Sequence, residues 1–286
     1  MADPALKAAL AKKELILAPG IFDLISALIA DRQDFKALYV TGYGTVASYL
    51  GLPDAGIATY RDMIERIAQM VKMTTKPVIA DADTGYGGLL NVRHTIRGYE
   101  DAGVSAIQIE DQEFPKKCGH TPNRRVVPLE DMVRKIEVAV DSRRSDDFLI
   151  IARTDSRTSL GIGEAIRRGK AYAKAGADIV FIESPESEEE MLQVADQIDA
   201  PLFANMVNGG RTPMLSAARL QEMGYSVAIH PAIGFLSVGA ALQKAYSDLA
   251  RNGETSADIE LYSFAEFNKL VGFEDVWAFE KKFAQV

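Results

Sequence analysis

The stretch "YEDAGVSAIQIED" (residues 99–111) decides the fold. A segment with helical spacing stops at a glycine, and a short apolar run follows that ends on acidic residues. The same order recurs in "YAKAGADIVFIES" (172–184) and "LQEMGYSVAIHP" (220–231). Glycine at that place suits a left-handed helix stop that turns the chain into a strand. Working outward, apolar runs of this kind recur along the chain: "LILA" (15–18), "ALYVTG" (37–42), "PVIADAD" (77–83), "AIQIED" (106–111), "FLIIARTD" (148–155), "DIVFIES" (178–184), "PLFANM" (201–206) and "SVAIHP" (226–231). Each is too short for a helix, and continuous apolar character suits strands covered on both faces of a parallel sheet. Segments such as "RDMIERIAQMVKM" (61–73) and "EDMVRKIEVAVDSR" (130–143) carry helical spacing between them. Eight strand-then-helix units predict an α/β protein built as a (β/α)8 TIM barrel. An open doubly wound sheet is the alternative, but no G-x-G-x-x-G follows the first strand.

The barrel is expected over residues 1–250 as a catalytic domain, with 251–286 as a C-terminal helical extension. The end of that extension, "LYSFAEFNKLVGFEDVWAFEKKFAQV" (261–286), is rich in aromatics whose burial needs a surface, on its own barrel or on a neighbouring subunit. No linker or low-complexity tract marks another boundary. A net charge of −8 argues against nucleic acid as a partner, since phosphate binding wants clustered Lys and Arg. A single cysteine permits no intramolecular disulfide and fits a reducing, cytoplasmic setting. The N-terminus has no apolar core of signal-peptide length, and no run approaches the ~20 apolar residues that span a bilayer.

In such a barrel the chemistry sits at the C-terminal strand ends. Polar residues collect there: Thr41 and Gly42, Asp81 and Asp83, Glu110 and Asp111, Arg153 and Asp155, Glu183, Asn205 and His230. Asp81 and Asp83, two apart on one strand, are expected to leave the same face and to repel unless a cation lies between them. Carboxylates plus water are the ligand set of Mg2+, which Glu110 could reach directly or through water. Capping of the Gly-rich loop 84–88 is the other reading of the pair. Arg153 is either a fork for a substrate carboxylate or the partner of a neighbouring acid. One Cys and three His give no zinc ligand set. Cys118 lies in a charged loop, "EFPKKCGHTPNRR" (113–125), where nearby cations favour thiolate. Proton transfer, nucleophilic catalysis and an incidental loop cysteine all remain open on local grounds.

"KKCGH" (116–120), with "DADTGYG", "IEDQ", "ARTD" and "NMVNGGRTP", resembles the isocitrate lyase / phosphoenolpyruvate mutase superfamily, and within it the C–C bond lyase branch of 2,3-dimethylmalate, 2-methylisocitrate and petal-death-like proteins. The resemblance implies a barrel that binds Mg2+, with Mn2+ as a substitute, and a small dicarboxylate. It also implies a homotetramer in which the end of the chain is swapped between subunits. By position, Asp81 and Asp83 match the metal carboxylates, with Asp54 and Glu110 in support. Thr41, Gly42, Tyr43, Gly119, Arg153 and Asn205 match substrate contacts. Cys118 matches the acid/base thiol, Lys116 and the gate-loop His120 stand with it in the catalytic motif, and Glu183 and Tyr39 are the candidates for the hydroxyl base.

The function so implied is a lyase (oxo-acid-lyase) cleaving a substituted malate, or 2-methylisocitrate, to pyruvate and a short carboxylate. The rivals are an oxaloacetate acetylhydrolase on the same site and a non-catalytic metabolite-binding barrel. Methylisocitrate lyases tend to carry an arginine in the tail, where "SFAEFNKLVGFEDVW" has none; hydrolases of the branch tend to have Ser where this chain has Pro231. Asn208 stands where relatives usually place Glu.

Overall fold

The structure is a computed structural model that describes residues 2–119, 121 and 124–283. Parallel strands close on one another in chain order: β1 (Ile16–Ile21), β2 (Leu38–Val40), β3 (Val78–Asp81), β4 (Ala106–Glu110), β5 (Leu149–Thr154), β6 (Ile179–Ile182), β7 (Leu202–Asn205) and β8 (Val227–His230). β1 pairs with both β2 and β8, and helices follow the strands around the ring, so the (β/α)8 barrel is borne out. Gly103, Gly176 and Gly224 take φ of 85°, 100° and 89°, two residues beyond helices Leu89–Asp101, Ile162–Lys174 and Ala217–Glu222. These are the expected left-handed stops.

β1 runs three residues past "LILA", through Pro19, Gly20 and Ile21. Pro19 stands opposite His230 and Gly20 opposite Tyr39. A Cβ on Gly20 would collide with the Pro231 carbonyl, so close backbone approach explains the glycine.

One buried cluster draws alternate residues from the strands: Ile16, Ala18, Tyr39, Ile79, Ala106, Leu149, Ile151, Ile179, Phe181, Phe203, Val227 and Ile229. The intervening strand residues pack instead with the surrounding helices. The first cluster is therefore the barrel interior, closed below by Leu6. Followed upward in steps of two, its columns turn polar. Ala106 leads to Gln108 and Glu110, Ile151 to Arg153, Phe181 to Glu183, Phe203 to Asn205, and Ile79 to Asp81. The strand period thus carries each aliphatic column into a ring of charged and amide groups at one mouth.

The chain forms two compact units, Met1–Gly234 and Phe235–Val286. The second holds most of helix Ile233–Asn252 and the helices Phe264–Leu270 and Phe273–Phe283, as the tail's pattern predicts. Neither Ile233–Asn252 nor Phe273–Phe283 buries a described residue, and Tyr246, Phe264, Trp277 and Phe279 are each at least half exposed. Among the described residues no helix is long and apolar enough to cross a membrane.

Candidate active site

The acidic side of the mouth is built from β3. The strand ends at Asp81, so Asp83 does not share its face by strand alternation, as the sequence suggested. Asp83 instead takes a left-handed φ of 49°, and its N–H donates to Asp81 Oδ1 at 3.0 Å. Gln108 Nε2 donates to the same oxygen at 3.2 Å, and Tyr39 OH donates to Gln108 Oε1 at 3.0 Å. Asp81 Oδ2 faces the start of the β2 loop, where a Cβ on Gly42 would come within 2.5 Å of it. Glu110 N donates to the Asp83 carbonyl at 2.9 Å, and Glu110 Oε1 is buried with no hydrogen-bond partner.

Lys116 balances these carboxylates. Its Nζ lies 2.5 Å from Asp54 Oδ1 and 2.7 Å from Asp83 Oδ1, with the side chain 3% exposed. Burial and the neighbouring Asp81 and Asp54 charges nevertheless push Asp83 up to about 7, with Lys116 opposing the shift. Burial raises Asp81 as well, and Glu110 well above the usual range. Burial works against the Lys116 ammonium, but the carboxylates of Asp83, Asp54, Asp81 and Glu110 hold it well above its ordinary value. Among the described residues no three acidic, His or Cys groups stand together as a ready metal cage. Mg2+ needs few protein oxygens, however, because it keeps several waters. Asp81, Asp83, the unpartnered Glu110 oxygen and Asp54 are hard donors that suit it.

Across the mouth, Arg153 rises from β5 with its guanidinium centre 5.2 Å over the Phe181 ring. Its Nε and Nη2 each donate to Asp155 at 2.9 Å; Nη2 lies 3.2 Å from Glu183 Oε2, and Nη1 lies 3.3 Å from Glu110 Oε2. The neighbouring-acid reading of Arg153 thus describes the structure. Glu183 follows β6 and is buried; its Oε1 accepts from Ser184 N at 2.8 Å and its Oε2 from Asn205 Nδ2 at 3.1 Å. Tyr39 sits one layer lower, and burial, then the Asp81 charge, raises its phenol well above 10. The phenol donates to Gln108 and so supports the floor of the mouth.

The loop that carries the cysteine leaves and returns at one point. Gln112 bridges Val126, and Glu113 N donates to Arg125 O at 2.9 Å. Cys118 N donates to Asp54 O at 3.2 Å, and Ser184 Oγ donates to Gly119 O at 3.1 Å. A Cβ on Gly119 would be driven into Arg153 Nη2 and lie 2.8 Å from Glu183 Oε2. The backbone of this loop is therefore seated against both groups. Thr41 is buried and Tyr43 is 41% exposed at the β2 end of the same mouth. His120 lies outside the described residues.

Three supporting residues carry no role in the sequence reading. Gln108 is legible afterwards as a polar residue at an inward position of β4. Asp155, which the sequence places at the rim without a role, is the bidentate partner of Arg153. Arg124, at the returning end of the loop, donates from Nη1 to Asp155 Oδ1 at 2.6 Å, and nothing local marks it.

Residues 6–250 match the family model described as phosphoenolpyruvate phosphomutase. The chain is 47% identical over 277 residues to 2,3-dimethylmalate lyase of Eubacterium barkeri, covering 96% of each protein. It is 40% identical over 277 residues to 2-methylisocitrate lyase of Aeropyrum pernix, covering 96% of this chain and 88% of that one. It superposes on oxaloacetate acetylhydrolase bound to 3,3-difluorooxalacetate with a TM-score of 0.92 at 32% identity, over 97% of this chain and 95% of that one. Phosphonopyruvate hydrolase in complex with oxalate and Mg2+ gives 0.89 at 30% identity, over 100% of both. With sequence and barrel in agreement over nearly its whole length, the chain belongs to the phosphoenolpyruvate mutase / isocitrate lyase superfamily.

Proposed function

We propose that this protein is a Mg2+-dependent carbon–carbon lyase that splits a substituted malate into pyruvate and a short carboxylate. The first substrate is 2,3-dimethylmalate, which gives pyruvate and propionate; 2-methylisocitrate is the second. The similarity to 2,3-dimethylmalate lyase supports the reaction class. One observation supports the assignment to this mouth: Gly119, next to Cys118, lies against Arg153 and Glu183. The thiol-bearing segment, a carboxylate-binding cation and a candidate base therefore share one rim.

Arg153 grips a substrate carboxylate through Nη1, the edge not committed to Asp155, while Thr41, Gly42 and Tyr43 receive the hydroxyl end and Asn205 orients it. Asp81 and Asp83, with Asp54 and Glu110 supporting through water, would hold Mg2+ (or Mn2+), which supplies Lewis-acid polarisation of the hydroxyl and carboxylate oxygens. Glu183 accepts the hydroxyl proton. The O–H electron pair becomes the C2 carbonyl of pyruvate as the C2–C3 bond breaks, and that bond's pair passes to the departing fragment as an aci-carboxylate. Cys118 donates its thiol proton to C3, which releases the short acid. Lys116 keeps the acidic wall from repelling a dicarboxylate, and the seated loop, with His120, excludes water from the intermediate.

We assign residues 1–250 to the catalytic barrel and 251–286 to an extension, because the helix after β8 ends at Asn252. The exposed aromatics of that extension support assembly as a homotetramer with tails swapped between subunits, and the single cysteine supports a cytoplasmic setting. Product analysis after incubation with Mg2+ and each of 2,3-dimethylmalate, 2-methylisocitrate and oxaloacetate tests the reading. Pyruvate plus propionate from the first is expected. Oxalate plus acetate from oxaloacetate alone would establish the hydrolase reading, which the likeness to oxaloacetate acetylhydrolase favours and Pro231 opposes. No turnover of any acid would leave a binding barrel.

A further inference from the structure

We infer that Tyr99, which lies behind the acidic wall, is a positioning residue that holds Asp81 and Asp83 in the arrangement Mg2+ requires. This rests on the metal reading of that wall. Tyr99 is fully buried on helix Leu89–Asp101, and its hydroxyl donates to the Asp81 main-chain carbonyl at 3.2 Å. The Tyr86 hydroxyl lies 2.9 Å from the same phenolic oxygen. Since the Tyr99 proton is spent on Asp81, Tyr86 is the donor of that pair, and the two bonds form a chain in which each strengthens the other. The turn that carries Asp83 therefore begins and ends on one phenol. Tyr60 covers the pair, its ring centroid 5.9 Å from that of Tyr86 and 6.3 Å from that of Tyr99. A Cβ on Gly98 would collide with the Tyr60 hydroxyl, so the glycine beside Tyr99, costly inside a helix, is what admits this cover.

The turn needs such a hold. Asp83 and Tyr86 take φ of 49° and 58°, left-handed backbone that disfavours any residue with a Cβ, and Gly85 between them takes 83°. Every carbonyl from 81 to 85 accepts a hydrogen bond. Asp81 O accepts from Tyr99, Ala82 O from Gly85 N at 2.9 Å, and Asp83 O from Glu110 N at 2.9 Å. Thr84 O accepts from Lys135 Nζ at 2.9 Å, and Gly85 O from Thr95 Oγ1 at 3.3 Å. With its carbonyls so committed, the turn directs the Asp83 N–H at Asp81 Oδ1, 3.0 Å away, and sets one carboxylate against the other. Tyr99 alone among these donors joins both ends of the turn, so losing its hydroxyl frees Asp81 and Tyr86 together.

The experiment measures two quantities on intact protein: Mg2+ affinity by calorimetric titration, and amide hydrogen exchange over residues 82–86, which reports the turn without metal. Tyr99→Phe is expected to weaken Mg2+ binding about tenfold and to speed exchange in the turn by at least about tenfold. Tyr86→Phe should shift both the same way, and the double variant should go no further than Tyr99→Phe, because Tyr86 acts through Tyr99. Tyr172→Phe is the control: it also deletes one buried phenol hydrogen bond, to Asp111, and should leave both quantities at their wild-type values. Wild-type exchange in Tyr99→Phe would overturn the inference, as would unchanged Mg2+ affinity in that variant or equal changes in Tyr172→Phe. Should Tyr99→Phe fail to fold, Tyr86→Phe against wild type decides on the same two quantities. A wild-type protein that binds no Mg2+ would count against the metal reading alone, and exchange then decides whether Tyr99 holds the turn.

Discussion

The Lys116 ammonium lies 2.7 Å from the Asp83 carboxylate, within the carboxylate set that would otherwise carry uncompensated negative charge. A resident cation there lowers the demand of Asp54 and Asp83 for an external one. Lys116→Gln is therefore expected to bind Mg2+ at least as tightly as wild type while losing about 100-fold in kcat. Asp83→Asn should instead weaken Mg2+ binding by about tenfold. Calorimetric titration with Mg2+ separates them, and parallel weakening in both would refute the counter-ion role.

Gly119 tests whether the loop must seat to react. Alanine there would thrust a methyl into the guanidinium of Arg153 and the Glu183 carboxylate. Neither neighbour can yield, since Arg153 is held at both ends of Asp155 and Glu183 by Ser184 and Asn205. Gly119→Ala should keep the wild-type Tm to within a few degrees and lose roughly 100-fold in kcat. Full activity would show that the seat observed is not the reacting arrangement.

Asp111 concerns stability. Its Oδ2 accepts from Thr154 Oγ1 at 2.6 Å, Tyr172 OH at 2.7 Å and Arg168 Nη1 at 2.9 Å, all buried. Asp111→Ala takes one acceptor from three buried donors and leaves Arg168 with Glu164 at 2.9 Å as its remaining carboxylate, and should cost roughly 3–5 kcal/mol. Tyr172→Phe removes one hydrogen bond and should cost about 1–2 kcal/mol. Urea denaturation of both variants gives the comparison, and equal losses would mean that Glu164 alone balances Arg168.

The exposed tail is tested by charge. Trp277 and Phe279 are 50% and 64% exposed on helix Phe273–Phe283. If they pack against a neighbouring subunit, Trp277→Glu with Phe279→Glu should convert a tetramer into smaller species in light scattering. A wild-type monomer would end that reading.

The barrel was legible because its signals are local: an apolar strand must be short, and a left-handed stop needs the glycine seen at 103, 176 and 224. The rim was legible for the same reason, since Asp81, Glu110, Arg153, Glu183 and Asn205 each end or follow an apolar run. What sequence misread was relation. Asp83 reaches its place through a left-handed turn rather than strand alternation. Tyr39 lies below the rim and donates to Gln108, a tie between β2 and β4 that sequence spacing does not show. Arg124 meets Asp155 across 31 residues, a pairing that no local pattern encodes.

That pairing carries the last prediction. Burial alone would raise Asp155, but the charge and hydrogen bonds of Arg153, then the charge of Arg124, outweigh it and hold the carboxylate below its usual value. A carboxyl whose folded pKa is depressed stabilises the fold above the unfolded pKa of about 3.9, and loses that contribution as pH falls through the folded value. Glu110, raised by burial, has the opposite dependence, as does Asp83, so the whole-protein profile mixes both signs. Subtraction isolates Asp155: the Tm difference between wild type and Asp155→Asn should be full from about pH 5 upward and shrink steadily as pH falls below about 4. A difference that is constant down to the lowest pH at which both proteins fold would show that the carboxylate charge is not what ties Arg124 to Arg153.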